Sequence, residues 1–455
     1  PVYTFASSKQ CVQQPNSTTQ TDEKQRDVVP DIANDTTNAE SYKSPEIHDK
    51  LFAYVIVGAG PGGLQMARFL QEKGRSYVVL EKNSSAGATF VNYPKHRKLI
   101  STNKMHAGDA EGPEFHMRHD WNSILHSSQD LDDVPASPVK FQNYSQEYFP
   151  PADSLVQYLQ DFAKHYQINM WSNSEVISVF QEKKAKSKNK NRNNHTDFAI
   201  VVRHSITGKL KFIRCKHIIW ATGLREAVPF DHIQAPAGKV IRYSDLDIGN
   251  LETVFANKKV LILGKGNSGM EVAASIMPYA SSIDMLSRNP PKRAVKTHYT
   301  GDVREMNEMA FGGSQENSMV TMHDVFEKMP EKGTPGIALS LELKEVPEDG
   351  TIEGGIYVKN QSTGISTNVW AINNGIHYVI IATGFDSNIT ALESDSNYTK
   401  KPLWRSNDNF KNFNLVELPS GTKFPDMKPW YESSHVNGFY FAGAQMHGRD
   451  YKRGN

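Results

Sequence analysis

Three glycines spaced as G-x-G-x-x-G, at Gly58, Gly60 and Gly63, follow the apolar run of residues 54–57 and begin a helical pattern. In such a turn the first glycine permits the tight bend, the second lets the backbone approach a pyrophosphate, and the third lets the helix pack on its strand. The phosphates then meet the N–H groups of the helix N-terminus. A second apolar run, residues 77–80, is followed directly by Glu81, where a carboxylate can bond ribose hydroxyls. This order predicts a dinucleotide site rather than a purely structural turn.

The same unit is repeated later in the chain, at Gly264, Gly266 and Gly269, after the apolar run of residues 259–263. The strand that should follow ends in Arg288 instead of an acid. An arginine at this position suits the 2′-phosphate of NADPH, which an acid would repel. The pattern therefore predicts a second dinucleotide site that prefers NADPH over NADH. The alternative, that Arg288 is a solvated loop residue, stays open.

Two further apolar runs end in Ala-Thr-Gly, one at Thr222 and Gly223 before the second turn and one at Thr383 and Gly384 after it. This bracketing resembles the two-dinucleotide-binding flavoprotein superfamily. The resemblance implies an α/β fold with two Rossmann-like dinucleotide-binding domains, in which the NADPH domain is inserted into a split FAD domain. The implied boundaries are 51–225 and 376–455 for the FAD-binding domain and 226–375 for the NADPH-binding domain.

Composition narrows the range of partners. Lys and Arg number 51 against 50 Asp and Glu, so the net charge of +1 gives no general reason to expect a nucleic acid. The two cysteines, Cys11 and Cys215, are too few for a thiolate metal site or a C-x-x-C redox pair. No apolar run is long enough to predict a membrane span. The 16 histidines show no metal-ligand spacing, so we predict no metal site.

Two polar segments lie outside the predicted core. Residues 1–50 contain too few large apolar side chains to fold alone, so we expect a disordered or surface-draped leader. Residues 183–192 are basic and separate two apolar runs, which indicates a solvated hairpin tip. A heparin-binding or nucleic-acid-binding patch is the alternative reading of this basic segment, although it lacks interleaved aromatic residues.

Several motifs carry a closer resemblance. The letters GATF at residues 87–90 and YP at residues 93–94 resemble the G-G-T-W…Y-P region of flavin-containing monooxygenases. The chain from about residue 52 to its end looks like the FAD-dependent oxidoreductase domain proteins of the endoplasmic reticulum lumen. The motifs behind this second resemblance lie at residues 93–101, 103–104, 118–123, 148–150, 264–268, 286–288, 297–299 and 430–433.

The resemblance implies a flavin reaction. NADPH would pass hydride to FAD, and reduced FAD would then activate oxygen at its C4a atom, with the Asn103 amide as the catalytic candidate. Asn103 as a simple loop cap is the alternative. A related outcome is an NADPH oxidase that releases hydrogen peroxide. A different class of function is a flavin-binding adaptor of secretory-pathway quality control, with chaperones or client proteins as partners.

The resemblance also implies a set of cofactor contacts and a small-molecule substrate that the sequence does not identify. The FAD contacts would be Gly58, Gly60, Gly63, Glu81, Lys82, Thr89, Phe90, Val176, Thr222, Gly223, Gly443 and Gln445. The NADPH contacts would be Gly264, Gly266, Asn267, Ser268, Gly269, Ser287, Arg288, Thr383 and Gly384. Five further polar side chains are weaker candidates, either for cofactor contacts or for ordinary surface positions: His96, Arg97, Lys98, His298 and Tyr299.

Two departures from the relatives limit the analogy. The fingerprint F-x-G-x-x-x-H of Baeyer–Villiger and N-hydroxylating enzymes retains only its glycine here, at Gly238. This weakens the expectation of strong monooxygenase activity. Relatives continue past the strand near residues 438–445 with a glycine-rich segment and a helix, whereas this sequence stops at Asn455. We therefore expect either a truncated chain or a less enclosed flavin.

The sequence also contains N-x-S/T sequons, which are acceptors for N-glycosylation in secreted proteins. Together with the resemblance, they lead us to expect the secretory pathway, either the endoplasmic reticulum lumen or secretion. The candidate acceptors are Asn16, Asn34, Asn83, Asn143, Asn194, Asn360, Asn388 and Asn397.

Overall fold

A computed structural model provides the structure of the protein. It describes residues 46–99, 124, 139–147, 149–182, 197–226, 229–287, 320–324, 336–386, 404–405, 415–417 and 423–446. The described residues all belong to one compact unit. The helices within the described ranges are too short or too polar to cross a membrane.

The first sheet has eight strands and carries the first glycine turn. Its spatial order is β18-β4-β5-β6-β1-β2-β3, and β21 also pairs with β6. Strands β3, β2, β1, β6 and β21 run parallel, whereas β18, β4 and β5 are antiparallel to their neighbours. The strands are β1 (Glu46–Val57), β2 (Tyr77–Leu80), β3 (Met170–Trp171), β4 (Ser174–Glu182), β5 (Asp197–His204), β6 (Leu210–Trp220), β18 (Trp404–Arg405) and β21 (Phe439–Phe441).

Both faces of this sheet are buried. Successive residues of a strand point to opposite faces, so neighbouring residues of β1 show what covers each face. Ile56 packs into one hydrophobic cluster with helices, whereas Val55 and Val57 pack into a second cluster on the other face. This explains why the central strands are continuous apolar runs without polar alternation. The helices on this part of the chain are α1 (Pro61–Glu72), α2 (Ala88–Asn92) and α3 (Ala152–His165).

The second sheet is wholly parallel, in the order β12-β11-β10-β16-β9, and carries the second glycine turn. A third sheet, in the order β15-β14-β13-β8, covers one of its faces, and helices cover the other. The elements are β8 (His232–Gln234), β9 (Val240–Arg242), α4 (Leu251–Phe255), β10 (Lys259–Leu263), α5 (Asn267–Ile276), β11 (Ser282–Ser287), β12 (Val320–Asp324), β13 (Ile337–Glu345), β14 (Ile352–Asn360), β15 (Ser366–Ile376) and β16 (Tyr378–Ile381).

Short elements complete the described chain. Four short strands form two antiparallel ribbons. The first ribbon pairs the strand that precedes the second sheet in the chain with the strand that follows it, and the other two strands form the second ribbon. The ribbons are β7 (Arg225–Glu226) with β17 (Phe385–Asp386), and β19 (Leu415–Glu417) with β20 (Lys423–Pro425). The 3-10 helices are Phe141–Asn143, Tyr243–Asp245, Ile248–Asn250 and Gly443–Met446.

Two of the boundaries expected from the sequence need correction. β1 begins at Glu46, inside the expected leader of residues 1–50, because its first residues pair with β6. The return to the first domain was expected at residue 376, yet β16 pairs with β10 and therefore belongs to the second sheet. The chain therefore returns to the first domain only after β16.

A buried carboxylate organises the turn that precedes β21. Glu432 accepts hydrogen bonds from the Gly438 backbone N–H (2.7 Å), the Lys428 ammonium (2.9 Å) and the Trp430 indole (3.0 Å). Burial works to raise the pKa of Glu432, but these three donors outweigh it and hold the pKa below the ordinary value of 4.5. The charged carboxylate therefore stabilises the fold.

We predict that Glu432→Gln lowers the free energy of unfolding by about 1–3 kcal/mol at neutral pH, because a buried donor loses its charged acceptor. The pKa of Glu432 is depressed in the folded state, so its contribution is full above the unfolded pKa and disappears as pH falls through the folded pKa. Urea denaturation across the acid range measures this. Glu353→Gln, in an exposed pair with Lys344, is the control and should change stability little. An equal loss in both variants would contradict the prediction.

Candidate functional site

The first glycine turn has the geometry of a pyrophosphate cradle. Gly58 has φ +102°, and a Cβ atom there would lie 2.6 Å from the Ala221 carbonyl oxygen. A Cβ atom on Gly63 would lie 2.0 Å from the Gly58 carbonyl oxygen. Both positions therefore require glycine. Around Gly60, by contrast, no described atom lies within 4 Å of the Cβ position, so the missing side chain leaves open space beside the backbone.

Helix α1 begins directly at this space. Gly60 is its N-cap, Pro61 occupies the start of the first turn, and the first turn contains no acidic residue. No described side chain caps the helix, so its N-terminal N–H groups are available for an anion. The helix dipole adds positive potential at the same point. Backbone donors, positive potential and open space together fit the pyrophosphate of a dinucleotide.

Glu81 lies at this turn and is itself held in place. The Ala59 N–H donates to Glu81 Oε2 at 2.8 Å, and Asn83 donates to Oε1 through its backbone N–H (3.0 Å) and its side-chain amide (2.9 Å). The Ala59 carbonyl accepts from the Gly87 N–H at 3.0 Å. The carboxylate is thus fixed beside the turn, where the ribose contact is predicted. Sequence reasoning missed the role of Asn83, which it treated only as a sequon.

Two other expected residues, Thr222 and Gly443, also lie at the first turn. The Thr222 hydroxyl is buried without a hydrogen-bond partner among the described residues, and the Thr222 Cα atom is 3.2 Å from the Cβ position of Gly58. An unpartnered buried hydroxyl at this place fits contact with a bound cofactor. The Gly443 N atom would lie 2.8 Å from a Cβ atom on Gly62, so the C-terminal turn touches α1 closely. Gly62 is a contact that sequence reasoning missed.

The remaining expected FAD contacts divide into open and buried positions. Gly223 has φ +70° with no described atom within 4 Å of its Cβ position. Lys82 and Thr89 are exposed, and Phe90 packs partly buried against the cluster that contains α1 and α3. The side chain of Gln445 lies outside the described residues. Only Val176 needs correction, because its side chain is 7% exposed within the core of the first sheet and therefore packs there.

The second glycine turn repeats the geometry of the first. Gly264 has φ +122°, and a Cβ atom there would lie 2.1 Å from the Ala382 carbonyl oxygen. A Cβ atom on Gly269 would lie 2.2 Å from the Gly264 carbonyl oxygen, whereas no described atom lies within 4 Å of the Cβ position of Gly266. Helix α5 begins at this open space without a side-chain cap, and the Asn267 Oδ1 atom is buried without a partner among the described residues. These features fit a second dinucleotide.

The other residues expected at the second site lie around it. The Thr383 backbone packs against Gly264, because the Thr383 Cα atom is 3.2 Å from the position of a Cβ atom on Gly264. Gly384 follows with φ +89°, and no described atom lies within 4 Å of its Cβ position. Ser287 ends β11, next to Asp324 of β12 in register. The hydroxyl of Ser268 bonds the Tyr243 phenol, so it points to a neighbouring element. Arg288, Asn103, His298 and Tyr299 lie outside the described residues.

The basic cluster after α2 does not present free cations to a cofactor. Arg97 donates to the Phe90 carbonyl at 2.7 Å and to Asp153 at 2.5 Å, and Lys98 pairs with Glu147. His96 Nδ1 lies 3.0 Å from Glu271 Oε2, although neither ring nitrogen of His96 makes a hydrogen bond to the described residues. The anion-binding hypothesis for these residues is therefore not supported, since each of them faces a carboxylate.

Neither a metal nor a thiol is brought to the two turns by the described part of the chain. That part contains no cluster of three or more His, Cys, Asp or Glu side chains arranged to hold a metal ion. Cys215 is buried and unpaired with another cysteine, and burial raises the pKa of its thiol, so the thiol stays protonated. Cys11 lies outside the described residues. Among the sequons, Asn83, Asn143 and Asn360 are described.

Comparison with known proteins places these turns in context. The sequence model of one protein family, described as pyridine nucleotide-disulphide oxidoreductase, matches residues 55–334. FAD-dependent oxidoreductase domain-containing protein 2 of Mus musculus is 31% identical over 410 residues, covering 88% of this chain and 54% of the relative. Its Danio rerio counterpart is 28% identical over 426 residues, covering 88% and 55%. The chain thus spans about half the length of these curated relatives.

Solved structures show the same fold at low sequence identity. Bacillithiol disulfide reductase Bdr (YpdA) from Staphylococcus aureus superposes with a TM-score of 0.51 at 17% identity, covering 90% of this chain and 98% of that one. The ornithine N-hydroxylase KtzI from Kutzneria sp. 744 superposes with a TM-score of 0.50 at 13% identity, covering 88% and 94%. The expected architecture of two Rossmann-like dinucleotide-binding folds is confirmed.

Proposed function

The chain belongs to the pyridine nucleotide-disulphide oxidoreductase family, and we propose that it is an FAD-dependent oxidoreductase that takes its electrons from NADPH. The observation that carries this proposal is the duplicated glycine turn. At both turns the outer glycines are required by backbone contacts below 3 Å, while the middle glycine leaves open space at a helix N-terminus. Two such cradles in one chain fit two dinucleotides, one bound as cofactor and one used as reductant.

Each cradle has a defined task in this proposal. FAD, when bound, supplies hydride acceptance and oxygen activation. The turn at Gly60 binds its pyrophosphate, and Glu81, oriented by Ala59 and Asn83, accepts hydrogen bonds from the ribose hydroxyls. The turn at Gly266 binds the NADPH pyrophosphate, and the Asn267 side chain provides a buried amide there. Asn103 is proposed to contact the flavin, as the sequence resemblance implies.

The electron acceptor is proposed to be oxygen, with or without transfer to a small molecule. A dithiol acceptor within this chain has little support, because the chain has two cysteines and the thiol of Cys215 is buried with a raised pKa. The relatives include YUCCA7 of Arabidopsis thaliana, named a probable indole-3-pyruvate monooxygenase, at 25% identity over 239 residues.

The test is rapid mixing of the FAD-loaded protein with NADPH in the absence of oxygen. We expect the flavin absorbance to fall within seconds, and re-admission of oxygen to restore it. A flavin that stays oxidised for minutes would overturn the proposal and favour the adaptor function, in which FAD is structural. Hydrogen peroxide formed in equal amount to the NADPH consumed would identify an oxidase.

The preference for NADPH is tested at Arg288. We predict that Arg288→Ala reduces the ratio of NADPH to NADH affinity about tenfold or more, because a charge-assisted contact to the 2′-phosphate is lost. Titration of the protein with each nucleotide measures this ratio. Arg203→Ala, which breaks a pair with Glu175 on the first sheet, is the control and should leave the ratio unchanged. An unchanged ratio in Arg288→Ala would show that another group selects the nucleotide.

We further propose that the protein enters the secretory pathway, where the sequons would be used. Asn360 lies at the tip of the β14–β15 hairpin, and its side-chain oxygen Oδ1 accepts hydrogen bonds from the Ser362 and Thr363 backbone N–H groups. The amide nitrogen of Asn83 instead donates to Glu81. In protein from its native source, we predict a glycan on Asn360 that Asn360→Gln removes, and none on Asn83. A glycan-free protein by mass spectrometry would contradict this localisation.

A further inference from the structure

Residues 93–99, here called the strap, connect the two halves of the fold. They follow α2 of the first half, and the described chain resumes only at residue 124 after them. The Tyr93 ring packs against the hydrophobic cluster of the second sheet, which contains Tyr243 and α5. A segment that belongs in sequence to the first half therefore contributes to the core of the second.

The first residues of the strap contact the second half in detail. The Tyr93 ring stacks on Tyr243 at 5.8 Å with 12° between the planes, and meets Phe385 edge-on at 5.1 Å. The Lys95 backbone N–H donates to the Tyr243 hydroxyl at 3.0 Å. His96 lies against Glu271 of α5. Aromatic contacts and polar contacts thus coincide at one place on the second half.

The last residues of the strap contact the first half equally closely. The Leu99 N–H donates to the Pro150 carbonyl at 2.9 Å, and the Ala152 N–H donates to the Arg97 carbonyl at 2.9 Å. The Arg97 guanidinium also pairs with Asp153 in the first turn of α3. Hydrogen bonds of the strap's own backbone therefore anchor it to both halves, in addition to its side-chain contacts.

Glu271 is the centre of the contacts with the second half. Its side chain is 4% exposed, and the Tyr243 hydroxyl donates to its Oε2 atom at 3.2 Å. Burial and the nearby Glu271 carboxylate raise the pKa of Tyr243, so the phenol keeps the proton that it donates. A buried carboxylate is costly unless it is hydrogen-bonded, and the Tyr243 hydroxyl that bonds Glu271 also accepts a hydrogen bond from the strap, from the Lys95 N–H. The same Tyr243 hydroxyl bonds Ser268 at the start of α5.

We propose that the strap holds the two glycine turns in one fixed orientation, and that Tyr243 and Glu271 are positioning residues for hydride transfer between the two nucleotides. The proposal rests on the NADPH-dependent function proposed above. It adds that transfer needs no rotation of one sheet against the other. Tyr243 links the start of the NADPH-binding helix, through Ser268, to the strap that leads toward Asn103.

The first experiment measures orientation directly and needs no turnover. Spin labels are placed on cysteines substituted at Lys73, after α1, and at Lys344, on β13, both of which are exposed. Cys11 is replaced by serine, and Cys215 is buried. In the FAD-loaded chain we expect one narrow distance between the labels, unchanged by NADP+. A bimodal distribution, or a shift on adding NADP+, would overturn the proposal.

The second experiment uses Tyr243→Phe, which removes the hydroxyl and keeps the ring that stacks on Tyr93. We expect a broader label distance and a reduction of the flavin by saturating NADPH that is about tenfold slower, because small misplacements of reacting groups are costly. FAD affinity should not change. Tyr279→Phe is the matched control, since Tyr279 packs against the same cluster without a described bond to the strap.

The outcomes separate the two proposals. A narrow distance in the parent chain that broadens in Tyr243→Phe supports the strap even where NADPH fails to reduce the flavin, and that failure would overturn only the function. Normal reduction and an unchanged distance in Tyr243→Phe would overturn the strap and leave the function intact. Glu271→Gln, which keeps an acceptor for the phenol, should retain most of the rate. A larger loss in Glu271→Gln than in Tyr243→Phe would assign the effect to charge instead of position.

Discussion

Gly60→Ala is expected to fold normally and to lose about 100-fold in FAD affinity. The backbone at Gly60 has φ −76°, which alanine adopts without strain, and no described atom lies within 4 Å of the new methyl group. The folded protein therefore accommodates the change, at a cost of about 1 kcal/mol or less for the altered helix cap. The methyl group nevertheless occupies the space that the pyrophosphate needs. Loss of two charge-assisted hydrogen bonds of roughly 1.5 kcal/mol each corresponds to about 100-fold in affinity.

The measurement is FAD binding to the apoprotein by calorimetry, with thermal unfolding of the apoprotein alongside it. Gly63→Ala is an instructive contrast, because its methyl group would lie 2.0 Å from the Gly58 carbonyl oxygen. We expect Gly63→Ala to destabilise the apoprotein itself, whereas Gly60→Ala should affect only binding. A Gly60→Ala protein that binds FAD with the parent affinity would show that the pyrophosphate lies elsewhere.

Gly266→Ala is expected to retain FAD and to lose about 100-fold in NADPH affinity. Its backbone has φ −85°, and its Cβ position is open like that of Gly60. The same two hydrogen bonds to a pyrophosphate are at stake, now at the N-terminus of α5. At limiting NADPH, reduction of the flavin should slow in the same proportion. The pair of variants therefore separates the two sites, since each variant is the control for the other.

Gly249, which lies away from the second glycine turn, provides a control for Gly266→Ala. Gly249 lies in the same half as Gly266, has an ordinary φ, and has its nearest neighbour at 3.4 Å from the Cβ position. Gly249→Ala should bind both nucleotides as the parent chain does. If Gly266→Ala loses FAD as well as NADPH, or keeps both, the assignment of the second turn to NADPH is wrong.

The sequence was sufficient for the parts of the site that are local. Both glycine turns, the helices that follow them and the acid at Glu81 could be predicted because each depends on residues within about thirty positions of one another. The strands β2 and β10 begin and end at the residues that the apolar runs predict. The shared Ala-Thr-Gly endings were recognised, but their contact was not. In the structure the alanine carbonyl oxygen of each ending contacts the first glycine of a turn: Ala221 contacts Gly58, and Ala382 contacts Gly264.

Other parts could not be predicted because they join residues that are distant in sequence. Nothing local in the sequence indicates that Tyr243 and Glu271 meet at the strap, since a tyrosine and a glutamate are common on any helix or turn. The predicted return of the chain to the first domain at residue 376 was too early. The local sequence of β16 does not show which sheet it joins, and in the structure it pairs with β10. Val176 shows the same limit, since a valine near a site and a valine in a core have the same local pattern.

By itself the sequence determined that this chain has two dinucleotide turns, because the constraint on a glycine turn is local: a bend, a close approach and a helix start. The tertiary structure alone decided how the two turns are held relative to each other. In the proposal above, contacts of the strap with Tyr243 and Glu271 on one side and with α3 on the other hold this arrangement. Such contacts form only when the chain has folded, because burial gives them their strength and brings their distant partners together.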